Sequence, residues 1–453
     1  MIGRSVTGQA AYLARGRRMR WCALLVAAVL WVGAGAAQAD EFDGSWWYEE
    51  QGVAQVRAEG ITGAGVPVAV VGQRISSDLP VLSSARLRVH EPSFCREYPS
   101  NYHDLSATDP KNTQMTWAAT NMVALIVGNG HGSGGRVSVS GVAPGADVRF
   151  YATGVYSGEY HDMCDDPAGA TARAIVQAVD DGARIIVLED PGRIEPDRDA
   201  AAAVAYALHE KVILVAPAYP GTTTAWISGL NGVVAVWRSG PDGPWPQERS
   251  IDPPSRITVT APGSMLLLQG GIIKSEGWAD TCVMGGEEFA PALVGGMLAD
   301  VAQKWPEATN HQLVQSLVRN TGRDDHDLVY DDLVGYGAVD LQHMLRTDPT
   351  QYENVNPLVV PDDGQELGLT AQDISDAQRP VWVDKGATPR PTSSPTSASP
   401  GPSPDLSSGP GSAGVPVWVW LGGAGLVVTG LVAFITYRVR RRTGHQQDQR
   451  GTQ

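Results

Sequence analysis

The sequence predicts an α/β domain with a doubly wound parallel sheet, a single ectodomain set between an export signal and one C-terminal transmembrane helix. Three observations carry this reading. Short apolar runs at 66–71, 148–151, 185–188 and 212–216 read as buried strands of a parallel sheet. Helical stretches alternate with them at 115–128, 168–181 and 197–209, and two more follow at 290–304 and 309–321. The two ends of the chain have the composition of targeting and anchoring segments. In such a sheet, function is expected at the carboxyl ends of the strands.

Residues 1–39 read as a signal peptide. Arg4, Arg15, Arg17, Arg18 and Arg20 precede an apolar run at 21–34, and Ala37-Gln38-Ala39 forms a small-residue cleavage site before Asp40. The run is short for a membrane span, and the Arg17-Arg18 pair is only a weak hint of twin-arginine export. Residues 40–345 hold the apolar and helical alternation and form the folded domain. Residues 346–385 lack clear periodicity and read as a peripheral extension. Residues 386–414 are almost entirely Pro, Ser, Thr, Gly and Ala, from which no core can be built, so they are expected to form a semi-extended stalk. Residues 415–437 contain an uncharged apolar stretch from Val417 to Tyr437, long enough to cross a bilayer core of about 30 Å. Trp418 and Trp420 mark one interface and Tyr437 the other. Arg438, Arg440, Arg441 and Arg442 open a basic tail, 438–453, expected in the cytoplasm. The protein is thus expected at the cell membrane, single-pass, with its large domain outside.

The formal charge of −15 conceals a stronger asymmetry, because both termini are basic and residues 40–437 carry a net −24. Such a surface repels phosphate backbones, so nucleic acid is excluded as a partner. No cofactor and no metal is expected. Once Cys22 leaves with the signal, Cys95, Cys164 and Cys282 remain in an oxidising location, enough for at most one intrachain pair. Cys95 and Cys164 lie in polar, loop-like segments and Cys282 lies close to a packed helix start, so the expected disulfide is Cys95–Cys164.

Several motifs, in a fixed order, carry a resemblance. Gly63-Ala64-Gly65 leads into Val66-Pro67-Val68-Ala69-Val70-Val71, and Gly141-Val142-Ala143-Pro144-Gly145-Ala146 forms a turn before the next strand. Ala178-Val179-Asp180-Asp181-Gly182-Ala183 ends a helix, with Gly182 suited to a left-handed cap. Lys304-Trp305-Pro306-Glu307-Ala308-Thr309 and Gly335-Tyr336-Gly337-Ala338-Val339-Asp340 close the domain. Over residues 42–345 this resembles the subtilases, subtilisin-like serine proteases, and among them the mycosins associated with type VII secretion in actinobacteria. The resemblance implies protein or peptide partners, with type VII secretion components among them.

Subtilase chemistry needs a serine nucleophile, a histidine base, an aspartate to orient it and an oxyanion donor. At the positions the resemblance assigns to these groups, the chain departs each time. The strand that should end in aspartate runs into Gly72, Gln73 and Arg74, and Asp78 lies too far downstream to replace it. The His-Gly-Thr slots hold Ala119, Thr120 and Asn121. His131 follows that helix instead of opening it and reads as a solvated loop residue. The serine slot in Gly286-Glu287-Glu288-Phe289-Ala290-Pro291-Ala292 holds Glu288, whose ordinary role would be to stabilise the helix start. Pro220 takes the oxyanion slot and brings no side-chain donor. Where the family's groove strand has Asn-x-Ser-Leu, this chain reads Val187-Leu188-Glu189-Asp190-Pro191.

The expected function is therefore a membrane-anchored extracellular pseudoprotease of mycosin type, a scaffold or peptide-groove binder with no catalytic residues. Two other readings remain open: an active subtilisin-like endopeptidase using atypical residues, and a cell-surface binding module unrelated to proteolysis.

Overall fold

The structure is a computed structural model that describes residues 43–98, 104–110, 113–154, 163–164, 167–189, 198–219, 227–244, 256–271, 277–361 and 369–381. The signal at 1–39, the stalk at 386–414, the apolar stretch at 415–437, the basic tail and Pro220 lie outside the described residues. Among those described, no helix is long and apolar enough to cross a membrane.

The chain enters through two short helices, α1 (Trp46–Glu50) and α2 (Val53–Ala58), then runs into strand β1 (Pro67–Gly72). Strands β2 (Arg86–His90) and β3 (Glu97–Tyr98) precede helix α3 (Thr113–Val127). Strands β4 (Asn129–His131) and β5 (Val137–Ser140) form a hairpin before β6 (Asp147–Ala152) and β7 (Met163–Cys164). Helix α4 (Pro167–Asp180), strand β8 (Ile185–Leu188), helix α5 (Arg198–His209) and strand β9 (Ile213–Pro217) continue the alternation. After β10 (Val234–Gly240), β11 (Gly243–Pro244), β12 (Val259–Pro262) and the hairpin of β13 (Leu266–Gln269) with β14 (Thr281–Met284), the chain turns helical. It finishes with α6 (Phe289–Lys304), α7 (Asn310–Arg319), α8 (Leu341–Arg346) and α9 (Ala371–Ser375).

The main sheet has the order β11-β10-β9-β8-β1-β6-β2, with β12 pairing β10 off this path. Every pairing in it is parallel except that of the short β11. Alternate residues of its strands feed two cores, as a period of two requires. Val68, Val70, Ile185, Val187, Ile213 and Val215 pack under α3, α6 and α7. Ala69, Val71, Ile186, Leu188 and Leu214 pack under α4 and α5. This is the doubly wound arrangement.

Helix α6 runs through the first core with nearly every residue buried, which explains the adjacent glycines in its middle. A Cβ on Gly295 would lie 2.3 Å from Val187 Cγ2, and one on Gly296 would lie 2.2 Å from Val142 Cγ1. Only glycine lets the helix backbone approach the strand and the 141–146 turn this closely.

The extension beyond residue 345 is stitched to the domain by polar contacts that a periodicity search does not detect. Gln312 donates to the carbonyls of Thr350 and Tyr352, and Arg256 donates to that of Leu358. Asn231 exchanges two hydrogen bonds with Val360, and Ile374 buries its side chain against the α4–α5 core.

Candidate functional site

Two of the landmark positions, Gly72 and Ala119, meet at the carboxyl end of β1, beside β8. Gly72 closes β1, and β1 pairs with β8 so that Val71 stands beside Leu188. One residue further on, Gly72 and Glu189 are neighbours, and the pleat directs both toward the core that holds Val68, Val70 and Val187. Against that face lies α3, which starts at Thr113 and so carries Ala119 in its second turn, not at its opening.

The space at Gly72 is filled by the side chain next door. A Cβ built on Gly72 would lie 2.3 Å from Glu189 Oε2, 3.2 Å from Glu189 Cβ and 3.4 Å from Ala119 Cβ. Glu189 is buried, and its Oε2 accepts a hydrogen bond of 2.7 Å from the backbone N–H of Gln73. A carboxylate therefore does stand at this strand end, supplied by β8. Across from it, where the resemblance implies an imidazole, Ala119 presents a buried methyl group.

Neighbouring polar side chains are committed to structure. The Thr120 hydroxyl accepts from Ser76 N–H and donates to the Thr116 carbonyl. Asn121 is fully buried, donates to the carbonyls of Trp117 and Gln269, and accepts from Gln269 N–H. Arg74 donates to the carbonyls of Ser106 and Thr108 and pairs with Asp109 at 3.0 Å, pinning the 106–109 segment to the end of β1.

Glu288 precedes α6, whose first residue, Phe289, packs edge-on against Trp117 at 5.5 Å. That contact ties the start of α6 to the stretch of α3 bearing Ala119. The expected helix-capping role of Glu288 takes a different form, since its side chain makes no cap hydrogen bond. The carboxylate instead folds back over Gly286, where a Cβ would lie 2.5 Å from Oε2. Glu287 forms an ion pair with Arg238 of β10 at 3.0 Å.

Two other candidates are exposed, and a third, Cys282, shares the Gly270 carbonyl with the Trp117 indole N–H. Asp78 is exposed. His131 is exposed at the end of β4, on the β4–β5 hairpin, with its N–H donating to Asn129 Oδ1. Cys282, on β14, stands outside the disulfide, and its Sγ donates to the Gly270 carbonyl. A disulfide joins Cys95 and Cys164, with Cα atoms 5.2 Å apart. Among the described residues no group of His, Cys, Asp or Glu is placed to hold a metal ion.

The arrangement offers a buried carboxylate, an alanine methyl at the position the resemblance assigns to the base, and a second carboxylate at the position it assigns to the nucleophile. A carboxylate without an imidazole beside it has nothing to orient, and acyl transfer requires both a nucleophile and its base. The contribution of Glu189 is legible only once strand register is known, because Gly72 and Glu189 are far apart in sequence. The one signal in the sequence is that Glu189 departs from the family pattern of the groove strand.

No family model matches the chain. Mycosin-5 of Mycobacterium tuberculosis (strain ATCC 25618 / H37Rv) is 26% identical over 304 residues, covering 54% of this chain and 50% of that protein. The chain thus spans about half the length of the curated relative it matches. The crystal structure of MycP1 from Mycobacterium smegmatis superposes with a TM-score of 0.50 at 17% identity, covering 73% of this chain and 91% of that one. Fervidolysin from Fervidobacterium pennivorans, a keratinolytic enzyme related to subtilisin, gives a TM-score of 0.48 at 22% identity over 69% of this chain and 48% of its own. The chain has a subtilisin-like α/β fold, and the mycosins are the proteins that it resembles in both sequence and fold.

Proposed function

We infer that the protein is a mycosin-like pseudoprotease, a non-catalytic scaffold or peptide-groove binder that works alongside type VII secretion components. One observation carries this reading: the Glu189 carboxylate occupies the space into which an aspartate side chain on β1 would grow, and the neighbouring base slot is a buried alanine methyl. The assignment to type VII secretion rests on the likeness to mycosins. The stretch at 415–437 anchors the protein in the membrane, with residues 40–414 outside the cell and 438–453 in the cytoplasm. Pro220 leaves the oxyanion slot without a side-chain donor.

Purified residues 40–385, incubated with a peptide library and with a serine-reactive phosphonate, should show neither cleavage nor covalent labelling. Glu288→Ser should not rescue activity, because a serine hydroxyl without a base stays protonated and weakly nucleophilic. Rapid phosphonate-sensitive cleavage by the unmodified domain, unchanged in Glu288→Ala, would overturn the reading in favour of an active site of another design.

A further inference from the structure

We propose that the loop 323–334 is a docking surface for a basic, apolar protein segment, formed by the exposed side chains of Leu328, Val329, Tyr330 and Leu333 within a fringe of aspartates. Of the nine large hydrophobic side chains exposed among the described residues, these four fall within a six-residue stretch; Val329 is 65% exposed and Leu333 57%. Single exposed apolar residues are ordinary, but a cluster of them within a polar rim marks an interaction site.

The loop is held in shape before any partner arrives. Asp331 and Gly335 exchange two backbone hydrogen bonds of 2.8 Å, and Asp331 Oδ1 accepts from Leu333 N–H at 2.7 Å. Tyr330 packs edge-on against Tyr336 at 5.3 Å, and Tyr336 N–H donates to the Thr258 carbonyl at the start of β12. Gly335 has a φ of +65°, and a Cβ there would lie 2.4 Å from the Thr258 carbonyl oxygen, so the loop base fits tightly against the sheet. At the other end, the His326 ring bonds to Thr321, and Asp325 meets His343 at 3.0 Å and Arg346 at 3.6 Å. A surface pinned at both ends loses little conformational entropy on binding.

Charge selects the occupant. Asp325 is spent on internal pairs, whereas Asp324, Asp327, Asp331 and Asp332 have no ion-pair partner among the described residues. Four carboxylates around an apolar centre repel an anionic lipid surface. They also repel a second copy of a domain that itself carries a net −24 over residues 40–437. What remains complementary is a polypeptide segment that presents Lys or Arg around apolar side chains.

The test uses the full-length protein in neutral detergent and a fluorescent synthetic amphipathic helix of leucine and lysine, with a leucine–glutamate helix as control. Anisotropy should show saturable binding of the lysine helix only. Val329→Ser combined with Leu333→Ser should weaken it about tenfold, as loss of apolar anchors does. Asp324→Asn, Asp327→Asn and Asp332→Asn together should weaken it about tenfold at low salt, a difference that disappears at high salt. All five positions are exposed, so thermal unfolding of both variants should match that of the parent. Undiminished binding in both variants would mean that the general acidic surface captures the helix, and would overturn the proposal. Binding to anionic vesicles, or self-association abolished by Val329→Ser, would overturn it in favour of lipid or of a second copy.

Discussion

Gly72→Asp, which places at the end of β1 the aspartate that the resemblance assigns there, should destabilise this domain, and removing Glu189 should reverse the effect. Gly72 lies in a strand and outside the left-handed region, so the backbone accepts a side chain there. The obstacle is Glu189, whose Oε2 lies 2.3 Å from the position of the new Cβ and whose Cβ lies 3.2 Å from it. To make room, the Glu189 carboxylate must swing out and release the Gln73 N–H that it holds at 2.7 Å. A hydrogen bond to a charged group contributes about 1.5–3 kcal/mol, and overfilling a packed site costs about 1–3 kcal/mol. The new carboxylate recovers part of this by accepting from the same N–H while adding a like charge beside Glu189, so the expected net cost is about 3 kcal/mol. Gly72→Asp with Glu189→Ser should cost about 1 kcal/mol or less, because the serine frees the space and the introduced aspartate becomes the acceptor. Urea unfolding of residues 40–385 in the parent, both single variants and the double variant gives the coupling directly. The two sites should be non-additive by more than about 1 kcal/mol. Additivity within about 0.5 kcal/mol would refute the claim that the two carboxylates compete for one space.

Three further outcomes are expected. Asp300 is fully buried in α6 with neither carboxylate oxygen hydrogen-bonded, and burial holds its pKa well above the usual range although Arg57 opposes the shift. A folded pKa above the unfolded one means that the native state binds the extra proton, so stability falls as pH rises from about 4 toward the folded pKa. Asp300→Asn should flatten that fall, and urea midpoints compared at pH 5 and pH 8 will show it; equal pH slopes in parent and variant would contradict it. Cysteine mapping by mass spectrometry should find the Cys95–Cys164 bridge and a titratable thiol at Cys282, and reducing a bridge that closes about 70 residues should cost about 4 kcal/mol; Cys282 in a bridge would refute the pairing. Protease added to intact protoplasts should remove the large domain and leave the 438–453 tail protected, and a protected large domain would refute the topology.

What could be read from the sequence follows from how each element is buried. The central strands β1, β8 and β9 are covered on both faces and appear as bare apolar runs, β6 is interrupted by the partly buried Arg149, and the structure moves the ends of all four by only a residue or so. Strand β2 lies at the sheet edge with Arg86 and Arg88 on its open side, so it offers no such run. The hairpin β13–β14 is specified by packing on α3 and by the Asn121 contacts to Gln269, which no local window contains. The 346–381 segment is held by isolated apolar anchors, Leu358, Leu369 and Ile374, and by single side chains, such as Gln312 and Asn231, reaching for its carbonyls, none of which makes a periodic pattern.

At the candidate site, the departures at 72, 119 and 288 are visible as residues out of pattern, while the arrangement that replaces them is not. The register between β1 and β8 supplies the missing step. In a parallel pair, residues side by side point to the same face, so an aspartate at the end of β1 and a glutamate at the end of β8 would crowd two carboxylates into one buried space. The bare backbone at 72 and the long side chain at 189 are thus complementary, since one leaves the space that the other fills. The carboxylate persists at the strand end, where it still accepts the Gln73 N–H and holds the turn that follows β1. That service needs no imidazole. Proton transfer from a nucleophile does, and the position facing Gly72 is the buried methyl group of Ala119, which can neither take up nor release a proton.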